Sequence, residues 1–417
     1  METQKKEDWS AAGRLLFKFI CIYIILFALP VQMLYQDLII WFGQQFLGVE
    51  GNVSTATTGS GDMLIHWLTF WFHLSIALLG TMIWTAIDRN RKSYHLAGEG
   101  LYIFVRYYLA LVLLLYGISK IVPVQFSEPS LLRLTQEFGD SSPMGLAWTF
   151  MGFSPLYQMF AGWMEAIGAV MLFFRRTTLA GALVLTTVMT NVFMINMLFD
   201  VPVKLNSAHY LLLSIGLVSL HIKPLWDFLI MGRMAQKNVR PFPVQDSRWR
   251  IISYTIKRIF VGGIFIAQLF FVFSNFRSLP QIPEFAGIYE VDEFRLIGIP
   301  EALYDIDKDR WRRLVIDNRA AGMAAIDYST GERVRFRVTA SSETDSISAR
   351  VPQNPRLEYG SPIELAAEFS QISENEFLLS GTLGGDSLYV RLNKIDHQEL
   401  LLISRGFNWV NEFPFNR

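Results

Sequence analysis

Seven side chains in the first two-thirds of this 417-residue chain could do acid–base or hydrogen-bonding chemistry from within long apolar runs: Lys120, Glu165, His66, His73, Asn191, His209 and Arg106. An ionisable group at the centre of a membrane span costs about 2.5–3.5 kcal/mol on insertion scales, so each requires a reason. At ~1.5 Å of rise per residue, depth sorts them. Glu165 lies ten positions before Arg175 and His73 ten positions after Met63, which puts both near the midplane, out of reach of either interface. His66 precedes His73 by seven residues and shares its stripe. Lys120, Asn191 and His209 fall in the outer half and Arg106 in the inner half. Taken singly, Arg106 and Lys120 read as residues snorkelling to the two interfaces, His66 and His209 as interfacial, and Asn191 as helix-packing glue. Taken together they point to a polar cavity open to the outer side. Lys120 and Glu165 are the catalytic candidates, a proton-handling or anchoring group and its counter-charge. His66, His73, Asn191, His209 and Arg106 are the ligand-binding candidates. Lys120 sits near the outer boundary and Glu165 near the middle, so a water or His73 is expected to connect them.

The elements that must position these groups are helices. Arg106, Leu113, Gly117 and Lys120 share one face of a span, and Gln158, Ala161, Glu165 and Gly168 share a face of the next, where small residues allow close approach. Runs of ~20 apolar residues predict seven spans: about 13–46 (broken near Pro30), 63–87, 101–121, 155–174, 178–199, 206–222 and 253–276. The fourth starts at Pro155 behind a Ser154 N-cap. Met1–Ser10 is charged on both sides and no small-residue cleavage site follows, so the first run reads as a span and not as a cleaved signal. Arg89, Arg91, Lys92, Arg175 and Arg176, with a group from Lys223 through Lys237 and Arg240 to Arg258, lie on one side. The opposite loops hold only Arg133 and Lys204. The positive-inside rule puts the N-terminus in the cytoplasm and everything after Phe276 outside. In the outer loop, Ser127–Gly139 and Ser142–Phe153 read as short helices, lying flat on the outer surface or forming ordinary loop helices.

From Phe285 the period of the pattern changes to two. Strands are expected at 288–291, 311–317, 323–328, 333–338, 345–351, 363–369, 376–382 and 386–392, with Gly384-Gly385 as a hairpin turn. Short strands at this spacing predict a small antiparallel barrel or sandwich. The fold class is thus a membrane all-α bundle over residues 1–279 followed by a soluble all-β extracytoplasmic domain over 280–417, expected to fold alone. The aromatic stretch Ser404–Arg417 reads as a plug that closes the barrel or as a lid on the mouth of the bundle.

Hydrophobic residues make up 52% of the chain and the mean hydropathy is +0.30. The formal net charge of zero gives no argument for a nucleic-acid partner. One cysteine, Cys21, allows neither an intrachain disulfide nor a Cys-based metal site. No P-loop, dinucleotide-binding fingerprint, haem motif or serine elbow occurs.

Two segments carry a resemblance. Tyr116-Gly117-Ile-Ser-Lys120-Ile121 resembles the Gly-x-x-Lys-Leu signature of DoxX-like membrane proteins, and Gly162-Trp-Met-Glu165-Ala-Ile-Gly168-Ala-Val-Met-Leu172 resembles their glutamate-bearing helix. The likeness covers residues 101–222. It implies a redox-linked bundle, since DoxX-like proteins include small subunits of quinone-linked oxidoreductases. The membrane part of vitamin K-dependent γ-glutamyl carboxylases is more distantly similar. There a lysine acts as a base towards a reduced quinone, and Lys120 matches it by position, but this chain is much shorter and lacks recognisable carboxylase substrate regions. Phe285-Ala-Gly287-Ile-Tyr289 resembles the opening of lipocalin-like barrels. The resemblances imply a multi-pass protein of the bacterial inner membrane, with its β domain periplasmic or extracellular. Its partners would be the bilayer and a lipophilic, quinone-type small molecule. The alternative is a non-enzymatic anchor presenting a lipocalin-like barrel to a lipid or a protein.

Overall fold

The computed structural model describes residues 8–29, 32–56, 58–233, 247–277, 285–297, 310–319, 322–341, 346–352 and 362–415. Pro30, Lys237, Arg240 and the start of the strand expected at 345 lie outside them. The described chain forms two compact units. The first comprises residues up to Phe126 together with Pro143–Phe276. The second comprises Ser127–Ser142 and Arg277 onward.

The first unit is helical. Helices α1 (Ala11–Ala28) and α2 (Gln36–Phe46) occupy the run expected over 13–46 with a break near Pro30, and both pack on α3 (Leu64–Ile87). Then come α4 (His95–Ile121) and, beyond a segment that belongs to the second unit, α6 (Pro143–Phe153), α7 (Pro155–Leu172), α8 (Thr178–Leu198), α9 (Lys204–Ser219), α10 (Ile222–Leu229) and α11 (Ser247–Arg277). Ser154 caps α7 as its sequence predicts, accepting from the Tyr157 N–H at 3.3 Å, with Pro155 at the first helical position where the missing N–H costs nothing. Asp62 caps α9, accepting from the N–H groups of Lys204 (2.7 Å) and Leu205 (3.0 Å). Four helices among the described residues are long and apolar enough to cross a membrane: α1, α3, α4 and α8. Helix α9 qualifies together with α10 as a pair bent by 67°. Helix α7, which carries Gln158 and Glu165, is not in that set, and within α11 the apolar part is Val261–Ser274. Leu109, Ala169, Leu172, Ala182 and Leu185 form the fully buried centre of the bundle.

The second unit is a closed antiparallel barrel of β1 (Gly287–Ile297), β2 (Trp311–Ile316), β3 (Met323–Tyr328), β4 (Arg333–Ser341), β5 (Ser346–Val351), β6 (Ile363–Gln371), β7 (Glu376–Leu383) and β8 (Asp386–Ile395). Each strand pairs with the next, and β8 returns to β1 across a register shift at Val291/Glu293. Closure removes the unpaired edges that an open sheet would expose. Gly384 and Gly385 both have positive φ, which the two-residue turn between Leu383 and Asp386 requires. The inward positions of the alternating strands fill the interior. Tyr289, Phe369 and Phe377 lie 5.3–5.4 Å apart by ring centroid, with Trp311, Leu379, Val390 and Leu392 fully buried around them. Burial pushes the Tyr289 phenol above its ordinary pKa, so it stays a donor to the Phe285 carbonyl (2.9 Å).

Two expectations are corrected here. The final aromatic stretch is no plug: Phe407, Trp409 and Phe413 are 78%, 91% and 82% exposed. Aromatic side chains from the strands and from Phe285 already occupy the barrel core. Nor is the β unit confined to residues after 280, because Ser127–Ser142 belongs to it. This segment carries the short helix α5 (Leu131–Leu134), whose Leu131 and Leu132 are buried with Ile288, Val315 and Ala325 on the outside of the barrel. Asp317 accepts from the Leu132 N–H (3.4 Å). Arg333 donates to the carbonyls of Leu132 (2.9 Å) and Thr135 (3.0 Å) while ion-pairing with buried Asp327 (2.6 Å). Arg319 pairs with Glu128. The segment is a clasp on the barrel.

Candidate functional site

Helices α4 and α7 cross where glycine meets glycine. A Cβ on Gly162 would lie 2.7 Å from the Gly117 carbonyl oxygen and 2.8 Å from the Lys120 Cβ, and one on Gly117 would lie 2.9 Å from the Gly162 oxygen. This approach sets Lys120 against Glu165. Lys120 Nζ donates to Glu165 Oε2 at 2.6 Å, with the two residues 6% and 2% exposed. No bridging water or histidine is needed, because the two helices are closer than depth along separate helices suggests. We expect Gly162→Val to force the helices apart. The overpacking should cost at least about 1–3 kcal/mol, read as a lower thermal midpoint in detergent.

The pair lies in the wall of a cavity of about 340 Å³ within the helical unit. The size falls in the range of small-molecule sites, and the wall is mostly apolar, as such sites are. Tyr116, Phe126, Trp148, Tyr157, Phe160 and Met164 supply much of the lining. The polar lining includes Asn191, Asn206, Gln125 and Asn196. Two of its buried polar atoms, Gln125 Oε1 and Asn196 Nδ2, have no hydrogen-bond partner. An orphaned buried donor or acceptor costs about 1–3 kcal/mol, and turning either amide, now covered by protein, towards a polar occupant of the cavity would relieve that cost. Behind Phe126, which lines the cavity, the buried Gln158 amide, oriented to satisfy both partners, donates to the Phe126 carbonyl (2.9 Å) and accepts from the Phe126 N–H (3.3 Å).

The histidines are elsewhere. His66, His73 and His209 line a second cavity of about 260 Å³, with Tyr23, Phe27, Gln32 and Phe70. Tyr210 and Asn206 line both cavities. His209 Nδ1 lies 2.6 Å from the Leu205 carbonyl, so the neutral ring carries its proton there and Nε2 accepts from the Tyr23 hydroxyl (2.5 Å). His73 Nε2 meets the Tyr35 hydroxyl at 2.9 Å. His66 Nδ1 accepts from the Met63 N–H (3.2 Å) and so helps to start α3. The single cavity expected from sequence is therefore two. Arg106 belongs to neither. Its Nε and Nη2 donate to the Leu172 carbonyl at 3.1 and 2.7 Å, satisfying the C-terminal end of α7 in place of a ligand.

Of the expected residues, the structure brings Lys120, Glu165 and Asn191 into one site, groups the three histidines in another, and gives Arg106 a structural part. Sequence reasoning missed Gln125, Tyr210 and Tyr23. Gln125 sits in what reads as a loop, and the two tyrosines read as ordinary apolar filler. It also missed Lys18, buried in α1, which donates to Thr85 Oγ1 (3.0 Å) and lies over the Tyr94 ring. Among the described residues, no group of His, Cys, Asp and Glu is placed to hold a metal ion.

No family model matches the chain, and no solved structure matches it. A stretch of 101 residues, 24% of the chain, is 36% identical to the uncharacterized protein YwoB of Bacillus subtilis (strain 168). The match covers 62% of that relative's length.

Proposed function

We propose that this chain is a multi-pass membrane protein of the DoxX-like type whose bundle takes up a lipophilic, quinone-type molecule in the cavity beside Lys120 and Glu165. The observation that carries this reading is the buried ion pair in an apolar wall that also holds unpaired amide atoms. A charged pair out of water is an expense for stability alone, so its place in a ligand-sized cavity argues for use. Lys120 is the proton-handling group, Glu165 its counter-charge, and Gln125 and Asn196 the partners for the polar atoms of a ring. Tyr157, Phe160 and Phe150, exposed on the helical unit and lining the cavity, suit entry from the lipid.

The reading includes seven spans, with α7 and α11 added to the four helices that qualify alone, the bent pair α9–α10, and α1 with α2 counted once. The clasp supports it. Ser127–Ser142 and the barrel form one compact unit, so they share one side of the membrane and the crossings between Pro143 and Arg277 are even in number. Helices α7, α8, α9 and α11 supply four. With the loop charges, this supports a reading in which the N-terminus lies in the cytoplasm of a bacterial cell and the barrel outside. The alternative of a lipid-carrying barrel is opposed by the aromatic core that fills it.

Purifying the protein from membranes and extracting its bound lipids tests the proposal. We expect a quinone-type molecule near one per chain, lost in Lys120→Met. Retention of only bilayer phospholipid, or of an acyl lipid that survives Lys120→Met, would refute it.

A further inference from the structure

The stretch from Leu401 to Phe415 is built to display rings. After the helical turn Leu401–Ser404, three polar side chains bond within the stretch: Arg405 Nη2 donates to Asn411 Oδ1 (2.5 Å), Asn411 Nδ2 to the Asn408 carbonyl (3.1 Å) and Asn408 Nδ2 to the Arg405 carbonyl (3.2 Å). The Arg405 guanidinium also lies over the Phe415 ring, 4.8 Å from its centroid. The apolar side chains point outward. Phe407, Trp409, Val410 and Phe413 are 75–91% exposed, and Leu401 and Leu402 nearly half exposed beside them. An apolar surface of this kind on a folded unit marks an interaction site.

We infer that residues 401–415 are an interfacial anchor that seats in the outer headgroup region of the bilayer crossed by the same chain's helices. Three observations select lipid over another occupant. The composition is that of a membrane interface, tryptophan and phenylalanine with arginine alongside and one acidic residue, Glu412. Side-chain polar groups satisfied within the loop remove much of the cost of entering a headgroup layer. The unit is also tethered close to the bilayer. Nine residues separate Arg277 of α11 from Gly287 of β1, a reach of at most ~35 Å when fully extended. The inference rests on the membrane reading above.

The test uses the full chain in lipid nanodiscs, with Cys21→Ser to leave one thiol and Phe413→Cys to carry an environment-sensitive fluorophore. A second protein carries the label at Ser387→Cys, exposed at the start of β8, at the opposite end of the barrel from Ile395 and the stretch that follows it, as a control distant from the anchor. We expect blue-shifted emission at 413 that is quenched by lipids spin-labelled near the headgroup and less by lipids labelled near the chain end, with neither effect at 387. Blue-shifted emission without lipid quenching would mean that protein covers the loop, either the bundle or a second copy, and would overturn the inference. So would water-like emission at 413. Failure of the protein to enter nanodiscs at all would count against the membrane reading itself.

Discussion

Replacing Lys120 by methionine should cost the detergent-solubilised protein about 3–5 kcal/mol, because it leaves Glu165 buried with no counter-charge. Glu165→Leu should cost a similar amount for the converse reason. The double variant should recover much of the loss, since two well-packed apolar side chains can replace a buried pair at little net cost. The geometry makes the coupling strong: the two groups are in contact at 2.6 Å, nearly inaccessible, and held by a glycine-to-glycine helix crossing that allows little readjustment. Thermal or denaturant unfolding of the four proteins closes the cycle. Additive losses would mean that each group is stabilised separately, and the pair would no longer support a proton-handling site. Ligand retention gives the second readout. If Lys120 serves the ligand, the double variant regains stability without regaining the bound molecule.

The barrel should depend on the clasp. A fragment of residues 280–417 leaves Ile288, Val315 and Ala325 uncovered where Leu131 and Leu132 pack. It also leaves Asp317 and Arg333 without their partners from the segment. We expect this fragment to melt early or aggregate. A peptide of residues 127–142 should raise its midpoint in a concentration-dependent way, stabilising it by about 2.7 kcal/mol at a hundred times the dissociation constant of the peptide. In the full chain, Leu132→Ala should cost about 2–5 kcal/mol, read in the melting of the β unit by circular dichroism. A fragment whose midpoint is the same with and without the peptide would show that the clasp merely rests on a barrel already complete.

The barrel was legible because its signal is local and repeated. Stretches such as Ile347-Ser-Ala349-Arg-Val351 alternate with the pleat, and Gly384-Gly385 marks a turn that few other residues can make. The Lys120–Glu165 contact was legible in part. The faces carrying Gly117 and Gly168 could be read from helical spacing, but how far α4 and α7 sink together at Gly162 is a property of two helices meeting. The clasp was invisible for a plain reason: 16 residues with two adjacent leucines carry no period that says which surface they cover. The division of the histidines was equally hidden. It depends on Tyr23 and Tyr35, on either side of the break after α1, reaching His209 and His73 far along the chain.

The clasp also sets a schedule. It leaves the ribosome well before the surface that covers it exists, since 253 further residues must be added after Ser142 to reach Ile395 at the end of β8 (395 − 142). At about 5–20 residues per second, that is a wait of roughly 13–50 s. Throughout it Leu131 and Leu132 are without the barrel that buries them. A chain stalled or truncated before β8 therefore carries an uncovered leucine pair and an open sheet edge at once, a combined mark by which quality-control proteases could tell an unfinished copy from a finished one.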